Sequence, residues 1–310
     1  MASLLFQSPP QGPQLYPKPN ILLSKTNTNP LLTLRRKPPP NCTKQDHPTP
    51  SLRHFVLVHG MCHGGWAWYK LATLLSGAGH HVTAPDLAAC GLHPKRLDEV
   101  NTFEEYCEPL MEVMEAVPAN ERVVLVGHSY GGTPVSLAME RYPHKIAVAV
   151  FISAAMPSST NSLADITKEL YKEGRTKDMM DSKAVYGGEG DNIVLRSFTF
   201  GPKHLRAIYY HLCAPEDVTL AMMLLREGKP FFDSSVTRDD FVTAGKHGSV
   251  SRVYVVCNQD RSILPETQKW LVEMSPGTEL LELDGADHMP MLSKPKELFS
   301  LLVDISDRYQ

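Results

Sequence analysis

Acidic side chains are almost missing from the first fifty residues, which hold Asp46 alone beside six Lys/Arg, eight Ser/Thr and eleven of the chain's twenty-five prolines. A segment of that make-up cannot bury enough apolar surface to offset the cost of ordering it. Long apolar runs are missing too. The longest, Ile146 to Met156, covers eleven residues, about half of what a membrane span needs, so no membrane partner is expected. The six cysteines (Cys42, Cys62, Cys90, Cys107, Cys213, Cys257) include no C-x-x-C pair, which argues against a disulfide framework or a zinc site and for a reducing compartment. Thirteen histidines are present, yet none falls in an H-x-H or H-E-x-x-H pattern, and no metal or organic cofactor is expected. Beyond residue 50 the chain carries 25 basic and 33 acidic residues, a net charge of −8. That balance argues against a nucleic-acid or anionic-membrane partner. A homodimer is compatible with this composition.

Residues 1–51 open with Met1-Ala2-Ser3 and carry Arg35-Arg36-Lys37. Ser-rich, Arg-bearing and poor in acid, they read as an organellar transit peptide addressed to the chloroplast stroma, with the mitochondrion or the cytoplasm as alternatives. Residues 52–310 then form one α/β domain. Short runs dense in Val and Ile predict six strands, at 55–58, 81–84, 123–126, 146–153, 253–257 and 279–283, separated by amphipathic stretches. Between Thr102 and Val117 the apolar residues Phe103, Tyr106, Leu110, Val113, Met114 and Val117 recur at helical spacing behind a Thr102/Glu105 capping box, and Pro118 ends the pattern. This alternation predicts a mostly parallel six-stranded sheet flanked by helices. The rhythm stops between about 157 and 248, where short helical patterns such as Asp217 to Arg226 predict a helical cap over the strand ends.

Residues 127–131 read Gly-His-Ser-Tyr-Gly, directly after the run Val123 to Val126 and before a helical segment. That is the context of a nucleophile elbow, in which a tight strand-to-helix turn lifts the Ser129 hydroxyl clear of the sheet. A serine nucleophile needs a base and an acid that orients the base. His288, in the loop after the last strand, lies at the carboxyl edge of the sheet; His247 precedes its strand and belongs at the opposite edge. Asp260 follows the neighbouring strand, whereas Asp284 and Asp287 share the loop of His288 and are better placed to bind backbone. The oxyanion donors expected are the backbone N–H groups of Tyr130, next to the nucleophile, and of Met61, in the glycine-rich loop after the first strand. Gly60 and His128 complete the candidate oxyanion and substrate-binding set. Cap residues Tyr209, Tyr210, Met222, Met223, Phe231 and Phe232 are candidates to line an apolar pocket.

The segments His54 to Gly60, Cys62 to Trp66, Pro109 to Met114, Leu212 to Asp217 and Gly285 to Met289 together resemble the plant methylesterase family of α/β-hydrolases, over essentially 54–310. The resemblance implies an α/β-hydrolase fold with a helical cap. It also implies a triad of Ser129, Asp260 and His288, oxyanion donors at Met61 and Tyr130, and hydrolysis of methyl esters of small plant metabolites such as salicylate, jasmonate, indole acetate or carbomethoxy alkaloids. The same family contains hydroxynitrile lyases, which place Thr after the first-strand His and Lys after the catalytic His. Here those positions are Gly60 and Met289, so no cation is available to steady departing cyanide. Related β-keto acid decarboxylases lack the serine that this chain retains. A ligand receptor with little turnover is the remaining alternative.

Overall fold

The computed structural model describes residues 52–172, 179–187, 194–231 and 241–309. The leader 1–51 and Phe232 lie outside these residues. All six expected strands form: β1 (His54–Val58), β2 (His81–Thr83), β3 (Val123–His128), β4 (Ile146–Ile152), β7 (Arg252–Cys257) and β8 (Thr278–Leu283), ordered β2-β1-β3-β4-β7-β8. Every pairing between them is parallel. The four inner strands β1, β3, β4 and β7 are buried on both faces, which explains their near-continuous apolar sequences, whereas the edge strands β2 and β8 are partly exposed.

The two faces take alternate residues. Val56, Val58, Val123, Leu125, Tyr254 and Val256 enter one core cluster, and Phe55, Leu57, Val124, Val126, Val253 and Val255 enter the other. The first is closed by α2 (Phe103–Ala116), α3 (Gly132–Arg141) and Leu271 of α7 (Pro265–Glu273), the second by α1 (Tyr69–Gly77) and α9 (Pro295–Arg308), which follows the short α8 (Pro290–Ser293). Thr102 caps α2 as expected, its Oγ1 accepting from Glu105 N–H at 3.1 Å. The Glu105 carboxylate reaches one residue further back than a reciprocal box requires and accepts from Asn101 N–H at 2.8 Å. Val117, preceding Pro118, is extended with ψ 126°, because the proline ring excludes a helical conformation there.

The cap departs from an all-helical expectation. Besides α4 (Leu163–Lys172), the one-turn α5 (Pro202–His204) and α6 (Pro215–Leu224), it contains an antiparallel pair, β5 (Lys183–Gly187) with β6 (Val194–Thr199). A β-bulge between Val185 and Tyr186 and a mixed polar composition hide this hairpin from a periodicity reading. Strand order reverses at β1, which has β2 on one side and β3 on the other. In open α/β sheets the crevice at such a switch point, beyond the carboxyl ends of the strands, is where ligands bind. The loops after β1 and β3 both open there.

Candidate active site

Register brings the site together. Val58 pairs with Gly127, His128 with Ile152, Ile152 with Val255 and Cys257 with Leu283, so five strands end at one rim. Ser129 leaves β3 there with φ 54°, the left-handed conformation that a non-glycine residue adopts only when its surroundings enforce it. The turn fits because Gly131 lies against β1: a Cβ there would sit 2.5 Å from the His59 carbonyl oxygen and 2.7 Å from that of Val58. Gly60 approaches from the other side, a Cβ at that position falling 3.0 Å from Ser129 Cβ and 3.4 Å from its Oγ. The loop carrying Met61 therefore runs directly past the serine hydroxyl.

His288 Nε2 lies 3.0 Å from Ser129 Oγ, and its Nδ1 lies 2.8 Å from Asp260 Oδ2. Ser129, His288 and Asp260 thus form a continuous hydrogen-bonded chain although 159 and 28 positions separate its members. Asp260 and His288 are buried. The loops that bear them are zipped to each other: Gln259 N–H donates to the Ala286 carbonyl at 3.0 Å and Gly285 N–H to Asn258 Oδ1 at 2.8 Å. Asp260 Oδ1 accepts from the N–H groups of Ser262 (2.6 Å) and Ile263 (3.1 Å), while Oδ2 also accepts from the Ser153 hydroxyl and from Gln268 Nε2 at 3.4 Å. Every one of these groups donates, so both carboxylate oxygens are engaged as acceptors.

The rival acids are occupied elsewhere. Asp287 accepts from the backbone N–H groups of Met289 (3.0 Å) and Leu212 (2.9 Å), as its place in the loop implies. Asp284 accepts from the Asn258 side chain, not from backbone. His247 sits before β7 beside Arg252, its carbonyl accepting from that guanidinium at 3.3 Å. Ser153 and Gln268 were not singled out in the sequence. Ser153 directly follows the last residue of β4 and has φ 39°. Position after a strand end was the available signal, but no motif surrounds it.

His128 lines the cavity, as expected of a substrate-binding candidate, but its Nε2–H is engaged elsewhere. Its Nε2 faces the His288 carbonyl at 2.6 Å, an acceptor, so the ring donates there and cannot present that N–H to an oxyanion. Burial first, and the neighbouring His288 second, hold His128 well below the usual imidazole range and keep it neutral. It braces the backbone of the base. Tyr209 meets the His288 ring edge-on, with centroids 5.1 Å apart.

A cavity of about 590 Å³ opens over Ser129 and His288, walled by Met61, Tyr130, Ile166, Phe198, Phe200 and Tyr209 among others. Tyr209 was expected here; of the other proposed lining residues that are described, Tyr210, Met222, Met223 and Phe231 are not among those that wall the cavity. Tyr210 is buried and turned to His63, Phe231 stacks on Tyr106 at 4.8 Å, and Met222 and Met223 of α6 are 38% and 77% exposed, while its Val218 and Ala221 are buried in the core. Sequence spacing alone could not say which side of α6 faces inward. Instead Phe198 of β6 and Phe200, just beyond that strand, join Tyr130 and Tyr209 in the aromatic wall.

A model described as the alpha/beta hydrolase family matches residues 55–301. The chain belongs to the alpha/beta hydrolase family. Among named relatives, polyneuridine aldehyde esterase of Rauvolfia serpentina is 49% identical over 256 residues, 82% of this chain and 96% of that protein. Methyl jasmonate esterase 1 of Vitis vinifera is 46% identical over 259 residues, covering 83% and 98%. A crystal structure of polyneuridine aldehyde esterase superposes with a TM-score of 0.77 at 47% identity, covering 83% of this chain and all of that one. Among the described residues no helix is long and apolar enough to cross a membrane, and no group of His, Cys, Asp and Glu is arranged to hold a metal ion.

Proposed function

We propose that this chain is a serine carboxylesterase that hydrolyses methyl esters of small plant metabolites through Ser129, His288 and Asp260. The observation carrying the reading is the 3.0 Å approach of His288 Nε2 to Ser129 Oγ at the floor of the cavity. As the hydroxyl attacks the ester carbonyl, His288 takes its proton at Nε2, and Asp260 at Nδ1 holds the tautomer required and stabilises the imidazolium. The backbone N–H groups of Met61 and Tyr130 receive the oxyanion. Collapse of the tetrahedral adduct expels methanol with the proton from His288 and leaves an acyl group on Ser129. Water then enters, His288 removes its proton, and the second collapse frees the acid and restores the hydroxyl.

A cavity of about 590 Å³ falls within the span of sites for small organic ligands, and its aromatic and aliphatic walls suit an apolar acyl group. Lyase chemistry is disfavoured because Met289, where a cation would be needed, packs its side chain into the core. The leader composition supports a stromal location. The test is methanol release by the purified protein from a panel of methyl esters. Ser129→Ala should lower turnover about a millionfold while leaving acid binding intact; a variant that keeps turnover would remove the esterase reading, and a wild type that binds the acids without turning over any ester would favour a receptor.

A further inference from the structure

The loop that carries Met61 is held more by the cap than by the sheet. Cys62 has φ 67°, an unfavourable value for a side chain other than glycine. Its carbonyl accepts from Arg226 N–H at 3.0 Å, and its thiol donates to the Phe198 carbonyl at 3.6 Å. Phe198 in turn pairs with Gly228 through two backbone bonds of 2.7 and 3.0 Å. Gly228 packs so tightly on the loop that a Cβ there would meet Cys62 Sγ at 2.8 Å and Met61 Cγ at 3.1 Å. The Arg226 side chain anchors the same strip of cap through the carbonyls of His93 (2.7 Å) and Lys95 (2.8 Å).

One side chain joins these two parts from inside. His63 is 3% exposed, and burial lowers its pKa to about 3, so its ring is neutral with a single N–H. Nδ1 faces the Met61 carbonyl at 2.8 Å, which only accepts; the proton is therefore on Nδ1. Nε2 must then accept, and it does so from the Tyr210 hydroxyl of the cap at 2.7 Å. The ring lies nearly parallel to Tyr210 (8°, 6.0 Å) and stacks on Trp66 at 5.5 Å. Removal of the Tyr210 hydroxyl would leave Nε2 without its donor and cut the hydrogen bond that joins the ring to the cap.

We propose that His63 is a positioning residue that ties the oxyanion donor Met61 N–H to the seating of the cap, through the relay Tyr210–His63–Met61. Phe198 belongs both to the cavity wall and to the cap strip that grips Cys62. An acyl group that seats against the cap thereby steadies the donor used in the transition state, and a poorly fitting acyl group does not. Binding energy from the acyl group is in this way expressed in kcat and not only in KM. The inference rests on the esterase reading.

Three variants of the full chain, Tyr210→Phe, His63→Asn and His63→Leu, test it. Trifluoromethyl phenethyl ketone is the probe: Ser129 Oγ bonds to its carbonyl carbon, the carbonyl π pair moves to oxygen, and the hydroxyl proton passes to His288, which leaves an oxyanion at the Met61 site. Methyl phenethyl ketone, which adds poorly, reports ground-state binding. Each is read as a competitive inhibitor of aryl acetate hydrolysis. His63→Leu should lower kcat and trifluoroketone affinity about tenfold to a hundredfold, as a misplaced donor does, with KM and methyl ketone affinity changed about twofold at most. Tyr210→Phe should show the same split at about threefold to tenfold, the value of one hydrogen bond. His63→Asn, which retains a donor near the Nδ1 position, should recover much of the loss. Equal weakening of both ketones, or unchanged trifluoroketone affinity, overturns the relay. Should His63→Leu fail to fold, Tyr210→Phe decides by the same ratio. Retention of turnover by Ser129→Ala would instead sink the esterase reading beneath it.

Discussion

Asp260→Asn is a severe test of the site because every group facing the two carboxylate oxygens donates. Oδ1 holds the backbone N–H groups of Ser262 and Ile263 at 2.6 and 3.1 Å, and Oδ2 holds His288 Nδ1 at 2.8 Å, the Ser153 hydroxyl, and Gln268 Nε2 at 3.4 Å. An amide offers one oxygen only. Backbone N–H groups cannot reverse their direction, so the amide oxygen remains on their side and the NH2 turns toward His288. Nδ1 must then accept, which moves the ring proton to Nε2, the nitrogen 3.0 Å from Ser129 Oγ. A protonated Nε2 cannot take the hydroxyl proton. A wrong tautomer of this kind costs about 10⁴ in kcat, or about 5.5 kcal/mol of barrier. Stability should fall less, by about 1 to 3 kcal/mol, since charge-assisted bonds weaken to neutral ones while most partners stay in place. Methanol release at saturating ester, beside a thermal melt of the same preparation, measures both. A loss of less than tenfold in a variant that melts near the wild-type temperature would refute the tautomer argument.

Gly131→Ala places a Cβ 2.5 Å from the His59 carbonyl oxygen and must push the elbow away from β1; kcat should fall about a hundredfold or more with about 1 to 3 kcal/mol of stability, read from kinetics and a urea melt. Tyr254→Phe removes a hydroxyl that donates to the Ala154 carbonyl at 3.0 Å and accepts from its N–H at 2.9 Å, leaving two buried backbone groups unpaired. That variant should lose about 1 to 3 kcal/mol by urea denaturation, with KM little changed. Acid should weaken the fold through its buried histidines. Burial lowers His63 to about 3, and burial followed by the Arg252 charge lowers His247 to about 4, so the unfolded chain takes up their protons from about pH 6.5 downward while the folded chain does not. Their contribution is complete above pH 6.5 and drains as the pH falls toward the folded values, reaching a loss of about 2 kcal/mol for each at pH 5. Urea midpoints at pH 7 and 5 measure the drop, His247→Gln should shrink it by its own share, and an unchanged slope in that variant would contradict the assignment.

The strands and the elbow were legible in the chain because both depend on local rules. A strand buried on two faces needs an unbroken apolar run, and the turn at Ser129 needs Gly131 beside it because backbone lies 2.5 Å from where a Cβ would be. Asp260 and His288 could be chosen because each stands just beyond a strand whose carboxyl end lies on the ligand side of a parallel sheet. The β5–β6 hairpin was not legible, since a bulge interrupts its alternation. Nor was the outward side of α6, where apolar Met222 and Met223 are exposed.

What the sequence determined by itself was the sheet, its both-sided burial and the residue types at the ends of β3, β7 and β8, all set by periodicity and turn stereochemistry over a few neighbouring positions. Only the tertiary structure decided that Ser153 and Gln268 turn their donors on Asp260, that His128 braces the backbone of His288, and that Phe198 and Phe200 rather than the side chains of α6 enter the aromatic wall. Those outcomes depend on strand register and on side-chain direction across contacts of a hundred or so positions, as between Ser153 and Asp260, 107 residues apart. Hydrogen bonds at that separation leave no periodic trace in the chain, because either partner would read the same in sequence had the register placed it elsewhere.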